Sequence, residues 1–575
     1  AFSFFGLMRE RLQSVARVSA MLVLITVLMG VSSVVSLVSM TSLSDLSGLD
    51  SLTDHSPGHS DLSGHSGLSS HSDLSSQSDL SSQSGLSIKS GLSYLIRQFS
   101  FIGTAHANDI QVSNVSVADD SETGVRVVSF DLSWENSWRS ADLDGSDDFN
   151  AGNWDAAWVF VKYRTAGGAW KHARLTATGH GVGTASGDNM GEGAALQVGL
   201  VDQGSVYNAS DNPGMGAMIY RGEAGAGRFA ADSLTLRWDY AADGLSESEE
   251  YFVEVYAVEM VYVAPGAFYA GSSSDGTEEA RFIAGVTEGS DDSDSDPFLV
   301  TSSWDGCVSD TDGCLWASGD TDDSNGDANS MDAGGTLASG FPTGFSGFYG
   351  MKYEVSQQQY VDFLNSLPAA QATARAYVGG EDRSGINYVA PADGVAGYYT
   401  TSTPYVANNY MSWVDAAAYL DWAGLRPMTE LEYEKASRGY AEPVAGGYAW
   451  GSATITSTGD ASNYSNLGEA GESVNQGNAV YDGSNPGGPA RVGIFAGAAT
   501  SREQAGAGYW GMMELSGNVG EMLVTVGNEA GRGFTGLHGD GVLSATGAAM
   551  VTSWPGLSEG AGLTATTSMT TTSTA

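Results

Sequence analysis

The chain has 575 residues, enough for roughly two or three domains, and 42% of them are hydrophobic, which is sufficient for buried cores. Its 24 Lys and Arg residues against 68 Asp and Glu residues give a net charge of −44. That charge argues against nucleic acid as a partner, because binding it requires Lys and Arg to displace counterions. An acidic surface suits calcium or solubility outside the cell, although a plain solvated surface explains most of the charge.

The first 107 residues carry two candidate export signals. An uncharged apolar run at 18–40 follows three arginines and is long enough to span a bilayer with a cytoplasmic N-terminus. Residues 41–93 repeat a Ser/Leu theme whose low complexity does not bury enough surface to fold. A second signal-like segment at 94–107 ends in Ala-His-Ala, which fits the small-residue rule for signal-peptidase cleavage. We therefore expect a bacterial-type export leader over 1–107, an extracytoplasmic protein, and membrane contact only through this leader.

From 108 to 256 the sequence predicts an all-β sandwich-like domain. Short runs with alternating apolar and polar residues are separated by Gly, Asp and Asn turns, at 110–117, 125–134, 157–163, 234–238 and 251–256. Six tryptophans in this region allow two interpretations, a carbohydrate-stacking platform or core packing, and core packing is the commoner role. They are Trp134, Trp138, Trp154, Trp158, Trp170 and Trp238.

An acidic insertion is predicted at 284–345. Cys307 and Cys314 lie seven residues apart within it, and in an oxidising compartment a local disulfide is favoured over free thiols or a metal pair. Oxygen-bearing side chains at alternate positions can also curl around calcium, which takes about six to eight oxygens. The spacing does not match the helix-loop-helix calcium signature, which favours the alternative of a disordered acidic insert. The candidate ligands are Asp323, Asn325, Asp327, Asn329 and Asp332.

Three helices are predicted further along the chain, at about 356–364, 412–422 and 429–436. Each begins at a residue whose hydroxyl is a good N-cap, and apolar residues then recur at helical spacing. The caps are Ser356, Ser412 and Thr429. Glu432 follows its cap by three residues, which predicts a capping box. The glutamates near the start of the third helix are explained by the helix dipole rather than by acid–base catalysis.

Three segments in this order, 351–364, 425–439 and 511–522, resemble the formylglycine-generating-enzyme (sulfatase-modifying factor) family. The resemblance covers about 258–555 and implies a variant C-type-lectin fold with few helices, short strands and bound calcium. We therefore expect an α+β protein. In it, an irregular, loop-rich C-type-lectin-like domain of the formylglycine-generating-enzyme type, at 257–560, follows the β-sandwich-like domain. A Ser/Thr-rich tail is assigned to 561–575.

The resemblance places a calcium site in the segment Glu-x-x-Gly-x-Val-x-Glu at 514–521. It implies that the side chains of Glu514 and Glu521 and the carbonyls of Gly517 and Val519 bind the ion. Such a turn exposes carbonyls while the flanking carboxylates supply charge.

A second family calcium site would begin near Asn463 and Tyr464, with the side chain of the first and the carbonyl of the second as ligands. The first site departs from the family pattern in two ways: Glu514 stands where the family usually has Asp or Asn, and Gly520 and Met522 stand where it has two tryptophans.

Family enzymes use two cysteines near the C-terminus to bind copper and activate oxygen, and no cysteine follows Cys314 here. Copper is therefore not expected, and no catalytic residue is predicted. We favour a secreted or cell-surface, non-catalytic binding or structural protein stabilised by calcium. Its partner would be a glycan, a surface protein or further copies of itself. The alternative is a degenerate or C-terminally truncated member of a copper-dependent formylglycine-generating oxidase family.

Overall fold

The computed structural model describes most of the chain between residues 110 and 557. The described ranges are 110–140, 152–185, 194–200, 214–271, 282–285, 296–316, 332, 334–392, 396–481, 486–496 and 501–557. The predicted export leader, the Ser/Thr-rich tail and most of the predicted calcium loop lie outside them. No helix within these ranges is long and apolar enough to cross a membrane.

Period-two alternation produces two antiparallel sheets at the start of the described chain. Their strands are β1 (Gln111–Asp119), β2 (Val125–Arg139), β3 (Asp155–Thr165), β4 (Lys171–His172), β5 (Thr184–Ala185), β6 (Ala194–Leu200), β7 (Gly214–Arg221), β8 (Gly225–Asp239) and β9 (Tyr251–Val263). The first sheet has the order β1-β2-β8-β5. The second has the order β9-β3-β7-β6, with β4 paired to β3. The five predicted strand segments are confirmed as parts of β1, β2, β3, β8 and β9.

The two sheets share one core. Val159 and Val161 of β3 face Phe130 and other inward residues of the first sheet, and both are fully buried. Trp134 and Trp238 lie in the same core, whereas Trp158, on the opposite face of β3, lies in the next one. These three tryptophans are core residues because alternation along each strand points them inward.

The outer face of the second sheet is covered by two helices, α1 (Gln357–Ser366) and α3 (Trp413–Trp422). Phe160 of β3 packs edge-on against Trp422, with ring centroids 5.2 Å apart. Phe363 of α1 joins the same cluster. The β-rich region and the helices therefore share a second core.

Strand β9 crosses the predicted domain boundary without a break. β16 (Phe348–Met351) pairs with its second half, in a register that sets Met351 opposite Met260. The boundary predicted between residues 256 and 257 falls inside this strand. The described residues between 110 and 557 cluster as one compact unit.

The remaining helices are short. They are α2 (Ala369–Arg375), α4 (Glu430–Arg438), α5 (Glu529–Arg532) and a 3-10 helix at Ala461–Asn463. The three predicted helices are confirmed, and Ser356, Ser412 and Thr429 each close a capping box. The hydrogen bonds of a capping box join residues three positions apart, so the local sequence is enough to predict where each helix begins.

Short strands and irregular chain make up the rest, so the class is mixed and loop-rich. These strands are β10 (Phe268–Ala270), β11 (Ile283–Ala284), β12 (Phe298–Val300), β13 (Cys307–Val308), β14 (Leu315–Trp316), β15 (Gly335–Thr336), β17 (Ile386–Val389), β18 (Tyr398–Thr401), β19 (Tyr464–Ser465) and β20 (Ser473–Val474). Cys307 and Cys314 form a disulfide, with Cα atoms 5.0 Å apart.

Removing the cap of α4 tests this local contribution. Thr429 is fully buried; its Oγ1 accepts from the Glu432 amide at 3.2 Å and donates to the Pro342 carbonyl at 2.7 Å. Thr429→Ala should therefore lower the free energy of unfolding by about 1–2 kcal/mol, measured by urea denaturation. Thr373→Ala, at an exposed site inside α2, is the control and should change it by less than about 0.5 kcal/mol. Equal losses of stability in the two variants would contradict the assignment of Thr429 as the stabilising cap of α4.

Candidate functional site

The segment that carries the predicted calcium ligands winds through several left-handed residues. Glu514, Gly517 and Asn518 have φ angles of 59°, 112° and 67°. A left-handed glutamate is uncommon because its side chain crowds the backbone. At Gly517 an added Cβ would lie 2.9 Å from the Val480 carbonyl oxygen, so only glycine fits there. The backbone is thus held in a tight loop by contacts with the rest of the domain.

Glu514 is buried, and among the described residues neither of its carboxylate oxygens has a hydrogen-bond partner. Burial raises the pKa of Glu514 to about 7. The backbone of Gly493 and Ile494 and the charge of Arg491 oppose this rise without removing it. An unpaired buried carboxylate costs several kcal/mol when it is ionised, so the group either holds a proton or requires a cation.

Glu521 is half-buried and resembles Glu514 at one oxygen. Its Oε1 atom is buried and has no hydrogen-bond partner among the described residues. Burial raises the pKa of Glu521 to about 8, and the nearby charge of Glu514 adds to the rise. The structure therefore brings the two predicted carboxylates together closely enough for the charge of Glu514 to raise the pKa of Glu521.

A third carboxylate, Glu354, lies against the same loop. Its Oε1 accepts from the Val519 amide at 2.9 Å, and its Oε2 accepts from the Asn518 side-chain amide at 2.5 Å. Burial raises the pKa of Glu354 well above its ordinary value, and the charges of Glu514 and Glu521 add to this. Sequence reasoning missed Glu354, and its place in the segment 351–364 was the only available signal.

This arrangement suits a hard cation. Calcium takes oxygen ligands from carboxylates and backbone carbonyls, and the loop offers both in Glu514, Gly517, Val519 and Glu521. Across the described ranges, no three His, Cys, Asp or Glu side chains are grouped so that they would hold a metal ion by themselves. The fit therefore depends on two carboxylates and two carbonyls rather than on a carboxylate cage.

Other buried glutamates near this part of the fold have partners. Glu432 pairs with Arg426, Glu434 accepts from the Gly271 amide at 2.8 Å, and Glu430 accepts from the Val526 amide at 2.9 Å. Each of these three carboxylates of α4 therefore bonds to a residue outside the helix. The sequence predicted only that they would interact favourably with the helix dipole. Their hydrogen bonds and ion pairs contrast with Glu514, whose carboxylate oxygens have no partner among the described residues.

The residues of the predicted second calcium site both contact Thr458. The side-chain amide of Asn463 donates to the Thr458 carbonyl at 3.0 Å, and the hydroxyl of Tyr464 donates to Thr458 Oγ1 at 2.8 Å. Asn463 ends the 3-10 helix, and Tyr464 begins β19. The site itself stays a prediction.

Asp332 has a defined partner. Its two oxygens accept from Arg532 Nη2 at 2.7 and 2.8 Å, and one of them also accepts from the Glu529 amide at 2.9 Å. This ion pair links the end of the predicted calcium loop to α5. The other predicted ligands of that loop lie outside the described residues: Asp323, Asn325, Asp327 and Asn329.

Comparison with known proteins finds one family model that matches a range in the second half of the chain. Residues 320–551 match the family model of the sulfatase-modifying factor enzyme 1-like domain, FGE-sulfatase. No curated protein and no solved structure matches the chain. The matched range contains α1, α3, α4 and the loop of Glu514 and Glu521. Residues 320–551 are therefore a sulfatase-modifying factor enzyme 1-like domain.

Proposed function

We propose that this protein is a calcium-stabilised, non-catalytic binding module built on a sulfatase-modifying factor scaffold of the C-type-lectin-like kind. The observation that carries the proposal is the buried carboxylate of Glu514, which has no hydrogen-bond partner among the described residues, beside Glu521, whose Oε1 is also buried without one. A bound calcium ion gives both groups a partner and lets them stay ionised. Gly517 and Val519 would complete the ligand set with their carbonyls.

The non-catalytic assignment follows from the cysteines. Family enzymes use a cysteine pair for copper, and the matched range 320–551 contains no cysteine. Cys307 and Cys314 precede this range and are bonded to each other, so they offer no thiolate ligands. The second candidate function, a copper-dependent oxidase, would need its cysteine pair from outside the present sequence.

An extracytoplasmic location supports the binding role. The leader over 1–107 has two export-like segments, and a disulfide such as Cys307–Cys314 persists in oxidising compartments. A glycan, a surface protein or another copy of the chain is then the accessible class of partner.

Thermal unfolding in millimolar calcium and in excess chelator tests the metal site. Calcium at a hundred times its Kd should stabilise the protein by about 2.7 kcal/mol and raise its Tm. Glu514→Gln should abolish this rise because it removes a charged ligand. Glu469→Gln, at an exposed position, is the control and should keep it. A Tm that is the same with calcium and with chelator would refute the site.

A further inference from the structure

A stacked pair of tyrosines is exposed on the sulfatase-modifying factor domain. The rings of Tyr377 and Tyr410 are nearly parallel, with centroids 4.3 Å apart, and Tyr410 is 43% exposed. The hydroxyl of Tyr377 donates to Glu381 Oε2 at 3.1 Å, and the hydroxyl of Tyr410 donates to Asp382 Oδ2. Two aromatic rings and two carboxylates thus form one surface, here called the tyrosine surface.

The backbone holds this surface in a fixed and unusual conformation. Tyr410, Asp382 and Arg383 have left-handed φ angles of 57°, 44° and 62°. A bulky residue in this region is strained and persists only where its surroundings impose it. The side-chain amide of Asn409 donates to the Asp382 carbonyl at 2.9 Å, and an added Cβ on Gly488 would lie 2.2 Å from that oxygen. The rings and carboxylates are therefore positioned before any ligand arrives.

The tyrosine surface carries negative charge that no Lys or Arg of the described ranges balances through an ion pair. Glu381 and Asp382 are both exposed, and within the described ranges neither forms an ion pair with Lys or Arg. Arg383, the next residue, directs its guanidinium to Glu472 instead. A positively charged ligand would supply the missing counter-charge.

We propose that the tyrosine surface binds an arginine or lysine side chain presented by a basic segment of a partner protein. A guanidinium stacks on an aromatic face while its N–H groups donate to neighbouring carboxylates, and the surface offers both features side by side. A second copy of this chain is a poorer occupant, because two molecules of charge −44 repel each other. A neutral sugar would gain nothing from the two carboxylate charges. The inference rests on the proposed function as a binding module and adds the class of its partner.

Binding of a fluorescein-labelled hexa-arginine peptide to the full chain, followed by fluorescence anisotropy, tests the proposal. Tyr410→Asn removes the exposed ring, and asparagine tolerates the left-handed backbone, so the fold is preserved. It should weaken binding by about threefold, the size of an exposed cation–π contact. Glu381→Gln with Asp382→Asn should weaken it similarly and reduce its dependence on salt. Tyr398→Asn is the matched control, at a ring that is 44% exposed, and should leave the Kd unchanged.

Two outcomes would overturn the proposal. In the first, the Tyr410 and Tyr398 variants bind like the parent or weaken equally, so that overall charge alone attracts the peptide. In the second, a neutral oligosaccharide such as maltohexaose binds at Tyr410 and the peptide does not. Melting the same samples with calcium and with chelator separates the two proposals. A calcium shift without peptide binding refutes only the tyrosine surface, and peptide binding without a calcium shift refutes only the metal site.

Discussion

Replacing Lys352 with methionine is expected to lower the free energy of unfolding by about 3–5 kcal/mol, the usual cost of breaking a buried ion pair from one side. Lys352 is 2% exposed, and its Nζ donates to Asp155 Oδ2 and to Glu259 Oε2, each at 3.0 Å. It also donates to the Asn136 carbonyl at 3.0 Å. Methionine keeps the volume and removes the charge, which leaves two carboxylates buried without their cation.

The carboxylate of Asp155 is fixed on the other side as well. It accepts from Trp134 Nε1 at 2.7 Å and from Ser137 Oγ at 2.8 Å. Although burial alone would lower the pKa of Lys352, its neighbours, Asp155 first and Tyr353 and Glu259 after it, raise it above the ordinary value. The ammonium is therefore charged at every pH at which the protein is handled, so the parent protein keeps this ion pair across that range.

Urea denaturation of the parent and the variant measures this cost, with Lys171→Met as the control at an exposed lysine. The control should change the free energy of unfolding by less than about 0.5 kcal/mol. Lys352→Met combined with Asp155→Asn should cost less than the sum of the two single changes, because the pair interacts directly. Additive losses would show that the ion pair contributes nothing beyond packing.

Local signals were read correctly from the sequence because their partners lie only a few residues away. The capping boxes at Ser356, Ser412 and Thr429 act across three residues, and each predicted helix begins where its cap predicts. Strand alternation behaves in the same way, since it depends only on neighbouring positions.

Long-range pairing could not be predicted in the same way. Lys352 reads in the sequence as one more residue of a family segment, yet its carboxylate partner Glu259 lies 93 residues away and the Asn136 carbonyl 216 residues away. β9 was likewise predicted over 251–256, and its pairing with β16 and β3 shows that the strand continues to Val263.

The candidate metal site also combines local residues, which the sequence predicted, with a distant residue, which it did not. Glu514 and Glu521 are close in sequence, so one segment was enough to predict them together. Glu354 reaches the site from 165 residues before Val519, the residue whose amide it accepts from. Its contribution depends on how α1 packs against the loop, and spacing within a single segment carries no information about that.

Raising the pH from about 5 to about 8 should destabilise the calcium-free protein and have little effect on the calcium-bound one. Burial raises the pKa of Glu514 from 4.5 to about 7 in the folded state. Between these values the folded protein holds a proton that the unfolded chain has lost, so the free energy of unfolding falls as the pH rises. For one group the loss is roughly 3 kcal/mol, complete once the pH exceeds the folded pKa.

Calcium reverses this balance because it binds the ionised carboxylates and displaces their protons. Urea midpoints measured at about pH 5, 6, 7 and 8, with chelator and with calcium, should diverge steadily as the pH rises.

Glu254 and Glu521 have raised pKa values too, so the absolute slope of stability against pH contains several groups. The difference between the parent and Glu514→Gln reports Glu514 together with its effect on the pKa values of Glu354 and Glu521. In chelator the variant should be the more stable protein at pH 8, and in calcium the less stable. A variant that loses stability under both conditions would mean that Glu514 is a structural acid with no metal to bind.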